Sequence, residues 1–256
     1  MKVSLGVVHG SEISGWYHHS MVGLLTKNNP TDHVLDDHIC DRSGPLLSAG
    51  RGVLAGQFLT QTDSDALLML DSDMVFTPER IYQHIEVFAE CRKTYPDLGV
   101  LGGLAFISSD PRNAKPQPNL WMPGKHPGQF HQLVNYPPSA LVEVGGTGGA
   151  CLLIAREVLE KFAGEKINPF HHIPLVNWPM LARNVMQMDD IHQAAEEMRY
   201  ATWGADQCGE DISFCMRVHQ AGYRIFVHTG LIYDHAKSTL LGEQEFQMAY
   251  PQALEA

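Results

Sequence analysis

Cysteine is scarce in this chain of 256 residues, and its five copies (Cys40, Cys91, Cys151, Cys208, Cys215) form no CxxC pair. An odd number without close pairs argues against a disulfide framework and against a structural zinc site. A reducing, cytoplasmic setting is the expectation. Cys151 and Cys215 stand among apolar residues, where a thiol behaves as a small hydrophobe. Positive charge is also short: 18 Lys and Arg face 29 Asp and Glu, a formal net charge of −11. Tight binding of nucleic acid regardless of sequence calls for a basic surplus, because phosphate neutralisation dominates the affinity. That class is disfavoured, although a local basic groove is compatible with the total. An acidic site that takes a dianionic ligand needs a cation to mediate. Long apolar runs are missing too. The best candidate, Leu141 to Ala155, is broken by Glu143 and four glycines, so no membrane span is expected. The opening MKVSLGVVHG has too short an apolar stretch for a signal peptide. Repeats and low-complexity segments are absent.

What is present is an ordinary globular composition, 44% apolar and 18% charged, enough to bury a substantial core. Residues 3–8 read as a buried strand. A helical stripe follows (Trp16, Tyr17, Met21, Leu24, Leu25), closed by Pro30. A strand over Val34–Ile39, a turn at Arg42–Pro45 and a second stripe (Leu46, Leu47, Val53, Leu54, Phe58) come next. Residues 66–70 (ALLML) form an apolar run bounded by charges, the pattern of a central strand. Thr77-Pro78-Glu79 marks a helix start, with a cap, proline at the first position and an acid in the first turn. Ile81, Ile85 and Phe88 give that helix its buried face. Leu98–Leu104 is the next strand. Residues 108–138 read as an extended loop region, and Val142–Ile154 as a second apolar strand carrying five residues of GGTGG. Arg156–Phe162 reads as a short helix ended by Gly164. Residues 165–205 are polar, with a helical stretch near 189–200. Asp211–Ala221 reads as a helix closed by Gly222, and Tyr223–His228 as a strand. Alternating strands and helices predict an α/β domain with a Rossmann-like, mostly parallel sheet flanked by helices and a mixed α+β second half. We expect one domain with two halves, 1–107 and 108–256.

Three features carry chemistry. Asp71-Ser72-Asp73 closes the central strand, and in extended chain residues i and i+2 face one side, so both carboxylates would approach one cation. The carboxyl end of a strand in an open α/β sheet is where ligands bind. An acidic turn before the Thr77 cap is the plain alternative. Glu210-Asp211 opens a helix, where the dipole favours a carboxylate, and taken alone Asp211 reads as the cap of that helix. Asp234-His235 follows a strand, and His235 reads either as a metal ligand or as one of 14 histidines with a satisfied surface role.

In order, the segments DALLMLDSDMVFTPERI, VGGTGGACLLIAREVLEKF and GEDISFCMRVHQAGYRIFVHTGLIYDHA resemble the GT-A glycosyltransferases, particularly glycosyltransferase family 2 and small stand-alone bacterial and phage relatives. Relatives often carry Ala-Arg-Asn where this chain has Gly50-Arg51-Gly52. The resemblance spans roughly residues 3–236 and is thin over 108–138 and 165–205. It implies a GT-A fold and transfer of a sugar from a nucleotide-sugar donor, UDP-linked by preference, to an acceptor hydroxyl. In those terms Asp71 contacts the ribose and the metal shell, Asp73 binds Mn²⁺ or Mg²⁺, and His235 completes the protein ligands. Asp211 is the general base of an inverting displacement, supported by Glu210. The donor pocket would draw on His9, Gly10, Asp41, Arg51, Ser72, Gly146 and Gly148. The glycines suit close approach to a sugar or tight strand packing equally. The acceptor would be a glycan, lipid, protein or hydroxymethylated DNA base, met by the loops 108–138 and 165–205, where Trp121, Phe170, Trp178 and Trp203 either stack on it or, as is expected of at least half of them, pack the loops down. Other readings are a haloacid-dehalogenase-like phosphatase using Asp71 and Asp73, and an inactive sugar-nucleotide-binding protein. A sugar-nucleotide pyrophosphorylase fits less well, because HGSEISGW supplies no glycine-rich GxGxR loop after the first strand.

Overall fold

A computed structural model describes the chain except residues 11–12, 28, 43–45, 109–114, 125–128, 174–207, 237–239 and 242–256, together with the side chains of 36–37, 40–42 and 240–241. The first half alternates β1 (Lys2–His9), α1 (Gly15–Thr26), β2 (Val34–Arg42), α2 (Leu47–Gln61), β3 (Ala66–Asp71), β4 (Met74–Val75), α3 (Pro78–Thr94) and β5 (Leu98–Ile107). Then come β6 (Gln117–Pro118), β7 (Leu120–Pro123), β8 (Phe130–Gln132), β9 (Leu141–Glu143), β10 (Gly146–Thr147), β11 (Cys151–Ala155) and α4 (Arg156–Gly164). The described part of the chain ends with α5 (Glu210–Gln220), β12 (Arg224–Ala236) and β13 (Leu240–Leu241).

The main sheet runs β13-β12-β5-β11-β3-β1-β2. β1 pairs in parallel with β2 and β3, and β5 with β12, while β11 is antiparallel between β3 and β5. Residues Ala66 to Leu70 are fully buried, as an apolar run between charges requires. Helices α2 and α4 pack together against the sheet, as do α1 and α3. The expected α/β architecture is therefore present. Thr77 caps α3, its hydroxyl accepting the Arg80 N–H, with Pro78 at the first position. Gly222 takes φ 88° where α5 turns into β12, a left-handed position that suits glycine.

Two sequence expectations are corrected. Val142–Ile154 is not one strand but three: β9 pairs with β12, β10 joins a small sheet with β7 and β8, and β11 enters the main sheet. Glycines at 145–149 interrupt the run, and without side chains they allow the chain to change partner twice. The strand expected at Tyr223–His228 continues to Ala236, because a bulge absorbs the polar stretch after His228. The helix expected near 189–200 lies outside the described residues. Among the described residues, no helix is long and apolar enough to cross a membrane, and Cys91, Cys151, Cys208 and Cys215 are free thiols.

Candidate active site

Parallel pairing brings the carboxyl ends of three strands to one rim. Val8 is in register with Asp41 on one side and Asp71 on the other. His9 and Gly10 follow at that rim, the His9 Nδ1 lying 2.8 Å from the Gly10 carbonyl oxygen. The sequence-predicted donor-side positions His9, Gly10, Asp41 and Asp71 thus converge, as ligand sites in open α/β sheets do.

Asp71-Ser72-Asp73 departs from the extended geometry expected of it. Asp71 ends β3, and Ser72-Asp73 forms a turn into β4. The two carboxylates consequently meet different partners. Asp71 Oδ1 accepts a hydrogen bond from Arg51 Nη2 at 2.7 Å. Asp73 Oδ2 lies 2.9 Å from His235 Nε2. β12 supplies that histidine by pairing with β4, His235 opposite Met74, and the Ala236 N–H bonds the Asp73 carbonyl at 2.8 Å. His235 is within the strand rather than past it.

Arg51, on α2, is 1% exposed. Its Nη1 stands 3.2 Å from Glu210 Oε1, while Nε and Nη1 make no hydrogen bond. Burial works against the guanidinium charge, and Asp71, Glu210 and Asp211 outweigh it, so the Arg51 pKa is raised. The backbone of Gly149 lies directly on the guanidinium: a Cβ there would sit 1.9 Å from Nη1. Arg51 is therefore a buried counter-ion beneath the rim. The close approach that Gly149 permits is to Arg51.

Glu210 and Asp211 open α5, but the N-cap is Gly209 and no side chain caps the helix. Asp211 is thus not the cap. Its Oδ1 accepts the Ile212 N–H at 2.7 Å. Burial raises the Asp211 pKa and Glu210 raises it further, against Arg51 and the N–H groups of Ile212 and Gly149. Asp71 is likewise raised, by burial first, with Arg51 opposing. Gly148 lies beside this carboxylate, a Cβ there being 3.6 Å from Asp211 Oδ2, whereas Gly146 packs against Ile212.

Among the described residues, no three His, Cys, Asp or Glu side chains cluster closely enough to hold a metal ion. Asp73 and His235 form a pair, and Asp71 is engaged by Arg51. Both His235 ring nitrogens face oxygen atoms, Nε2 the Asp73 carboxylate and Nδ1 the Phe106 carbonyl at 3.3 Å. A neutral imidazole donates through only one nitrogen. If Nδ1–H bonds the carbonyl, the Nε2 lone pair faces a carboxylate, an arrangement that a cation between them relieves. A carbonyl-oriented histidine is also the usual support of a metal ligand. A carboxylate with an imidazole fits Mn²⁺, or Mg²⁺, which typically takes one or two carboxylates and completes its shell with substrate phosphates.

Several contributors had no local signal in the sequence. Asn119 is buried, accepts from Ala105 N–H at 2.9 Å and donates to the Gly103 carbonyl at 3.1 Å, holding the excursion after β5 against that strand. His84 is buried on α3, its Nδ1 2.9 Å from the Tyr233 hydroxyl and Nε2 3.0 Å from the Leu101 carbonyl. Of the aromatics expected at the acceptor, Phe170 is fully buried and stacks on Phe214 at 4.6 Å, so it packs its loop down. Trp121 is half-buried on β7. Trp178 and Trp203 lie outside the described residues.

Comparison with known proteins adds fold. No protein-family model matches the chain, and no curated protein does. Among solved structures, A197 from STIV is similar over 94% of each chain at 15% identity, with a TM-score of 0.52. A CMP:2-keto-3-deoxy-manno-octonic acid synthetase complexed with CTP aligns over 89% of each chain at 12% identity, with a TM-score of 0.39. The likeness to A197 is one of fold.

Proposed function

We propose that the chain is a metal-dependent glycosyltransferase that moves a sugar from a nucleotide-sugar donor, UDP-linked by preference, to an acceptor hydroxyl. The observation that carries this reading is that buried Arg51 joins Asp71 to the Glu210–Asp211 helix start, while the Asp73–His235 pair also acts on Asp71. Asp211, a carboxylate with raised pKa, is linked through Arg51 to Asp71, on which the cation-suited pair acts, and a base and a cation site held apart in this way are a division of labour that group transfer needs.

Asp73 and His235 would hold Mn²⁺ or Mg²⁺. Bound there, the cation would neutralise charge on the departing nucleoside diphosphate. His9, Gly10 and Asp41 would border the nucleoside, and Asp71 would face the ribose. Asp211 would accept the acceptor proton as the acceptor oxygen bonds to the sugar C1 and the C1–diphosphate bond breaks. Its raised pKa makes it a stronger base than an ordinary carboxylate. Glu210 would keep Arg51 from neutralising Asp211 fully. The acceptor hydroxyl would belong to a glycan, lipid, protein or hydroxymethylated DNA base.

The test is a panel of nucleotide-sugar donors scored for Mn²⁺-dependent release of nucleoside diphosphate. Release from a UDP-sugar that stops in EDTA supports the proposal. Release of inorganic phosphate from phosphate monoesters, with no donor hydrolysed, would instead favour a phosphatase.

A further inference from the structure

Strand β12 carries an insertion that its neighbour lacks. His228 is opposite Gly103 on β5, and the next pair is Ile232 with Leu104, so Thr229–Leu231 form a bulge. Bulges re-aim the strand beyond them, and here the strand beyond bears His235.

The bulge is held from both sides. Thr229 Oγ1 donates to the Pro137 carbonyl at 2.6 Å and accepts the Ala140 N–H at 2.9 Å. From α3, Arg80 donates to the Gly230 carbonyl. One turn further along the same helix face, His84 meets the Tyr233 hydroxyl at 2.9 Å, with its other nitrogen at the Leu101 carbonyl. The Tyr233 ring lies over Gly103, where a Cβ would come within 2.4 Å of it. α3 starts shortly after β4, and β4 pairs with β12 at Asp234 and His235. Helix, bulge, Tyr233, His235 and β4 thus close a circuit that ends at Asp73.

We propose that Arg80 and His84 are positioning residues that grip β12 at its bulge and at Tyr233, setting the strand so that His235 faces Asp73. The link to metal binding rests on the reading of that pair given above. The geometric claim does not.

The experiment uses the whole chain with Tyr233→Phe, which removes one oxygen and keeps the ring, and with Arg80→Met and Arg80→Lys. Three quantities are measured: the ¹⁵N signals of the His235 ring without metal, identified by their loss in His235→Gln; Mn²⁺ affinity by electron paramagnetic resonance; and the melting temperature. Tyr233→Phe and Arg80→Met should move the His235 signals before any metal is added and weaken Mn²⁺ binding by about 10- to 100-fold. Arg80→Lys, still able to reach the Gly230 carbonyl, should recover most of both. A general loosening would lower the melting temperature and leave the His235 signals of the folded protein in place. Wild-type His235 signals in folded Tyr233→Phe and Arg80→Met would overturn the proposal. Absence of Mn²⁺ binding by the wild type would defeat the metal reading, while the metal-free signals would still decide this one.

Discussion

Arg51 holds together groups that are far apart in sequence: Asp71 at 2.7 Å, Glu210 at 3.2 Å and the backbone of Gly149 against its guanidinium. The family resemblance points to Arg51 as a donor-pocket residue, but nothing local in the sequence signals its burial, because the partners that bury it come from three other segments. The D-x-D, the E-D pair and the D-H pair were readable because each stands at the end of an element. Their division into an Arg51-bound Asp71 and a His235-bound Asp73 was not, since it depends on the turn at Ser72. Gly149→Ala should force the packed guanidinium aside and destabilise the protein by about 1–3 kcal/mol. Gly148→Ala, whose Cβ would meet Asn119 Cβ at 3.4 Å, should cost little. Urea titrations of the two variants side by side test this. Asp211→Asn keeps the shape of the side chain and removes its basicity. Transfer should fall about 10²–10⁴-fold with melting and Mn²⁺-dependent UDP binding near wild type. Undiminished transfer would remove Asp211 from the chemistry.

At the scale of elements, β3 and α3 were readable because their signals are local. One is an apolar run between charges, and the other has a cap, a proline and an apolar stripe. Thr77→Ala should lower stability by about 1 kcal/mol, measured by denaturant unfolding. The 141–155 segment misled because its apolar residues hide three different pairing partners. β12 misled because a bulge that keeps a strand going has no local sequence mark beyond Gly230. His84 shows what α3 contributes from inside. Burial lowers its pKa from 6.5 to about 4. Between those values the unfolded chain binds the extra proton, so stability rises with pH there. The contribution is fully present above pH 6.5 and is lost as pH falls toward 4, on the order of 3 kcal/mol in all. Urea unfolding at pH 7 and pH 5 should show a larger difference for the wild type than for His84→Gln, which has no group to titrate. Equal differences would contradict the buried neutral state.

Over the whole molecule, strand–helix alternation was enough to predict the α/β class and the mostly parallel sheet, because each period is set by local burial. The antiparallel insertion of β11 between β3 and β5 was not, because which strands become neighbours is decided by packing across the sheet. That insertion matters to the site. The Asp71 N–H bonds the Ala150 carbonyl at 3.1 Å, and the Gly149 backbone is brought onto Arg51. The fold thus gathers Asp71, Glu210 and Asp211 about Arg51, and the proposed function requires that this rim bind a nucleotide through a divalent cation. Calorimetric titration of UDP into the protein, with Mn²⁺ and then with excess EDTA, tests it most directly. Binding is expected with Mn²⁺, with its loss in EDTA and in Asp73→Ala and His235→Ala variants that still melt cooperatively. UDP binding of equal strength in EDTA, or unchanged in both variants, would contradict it.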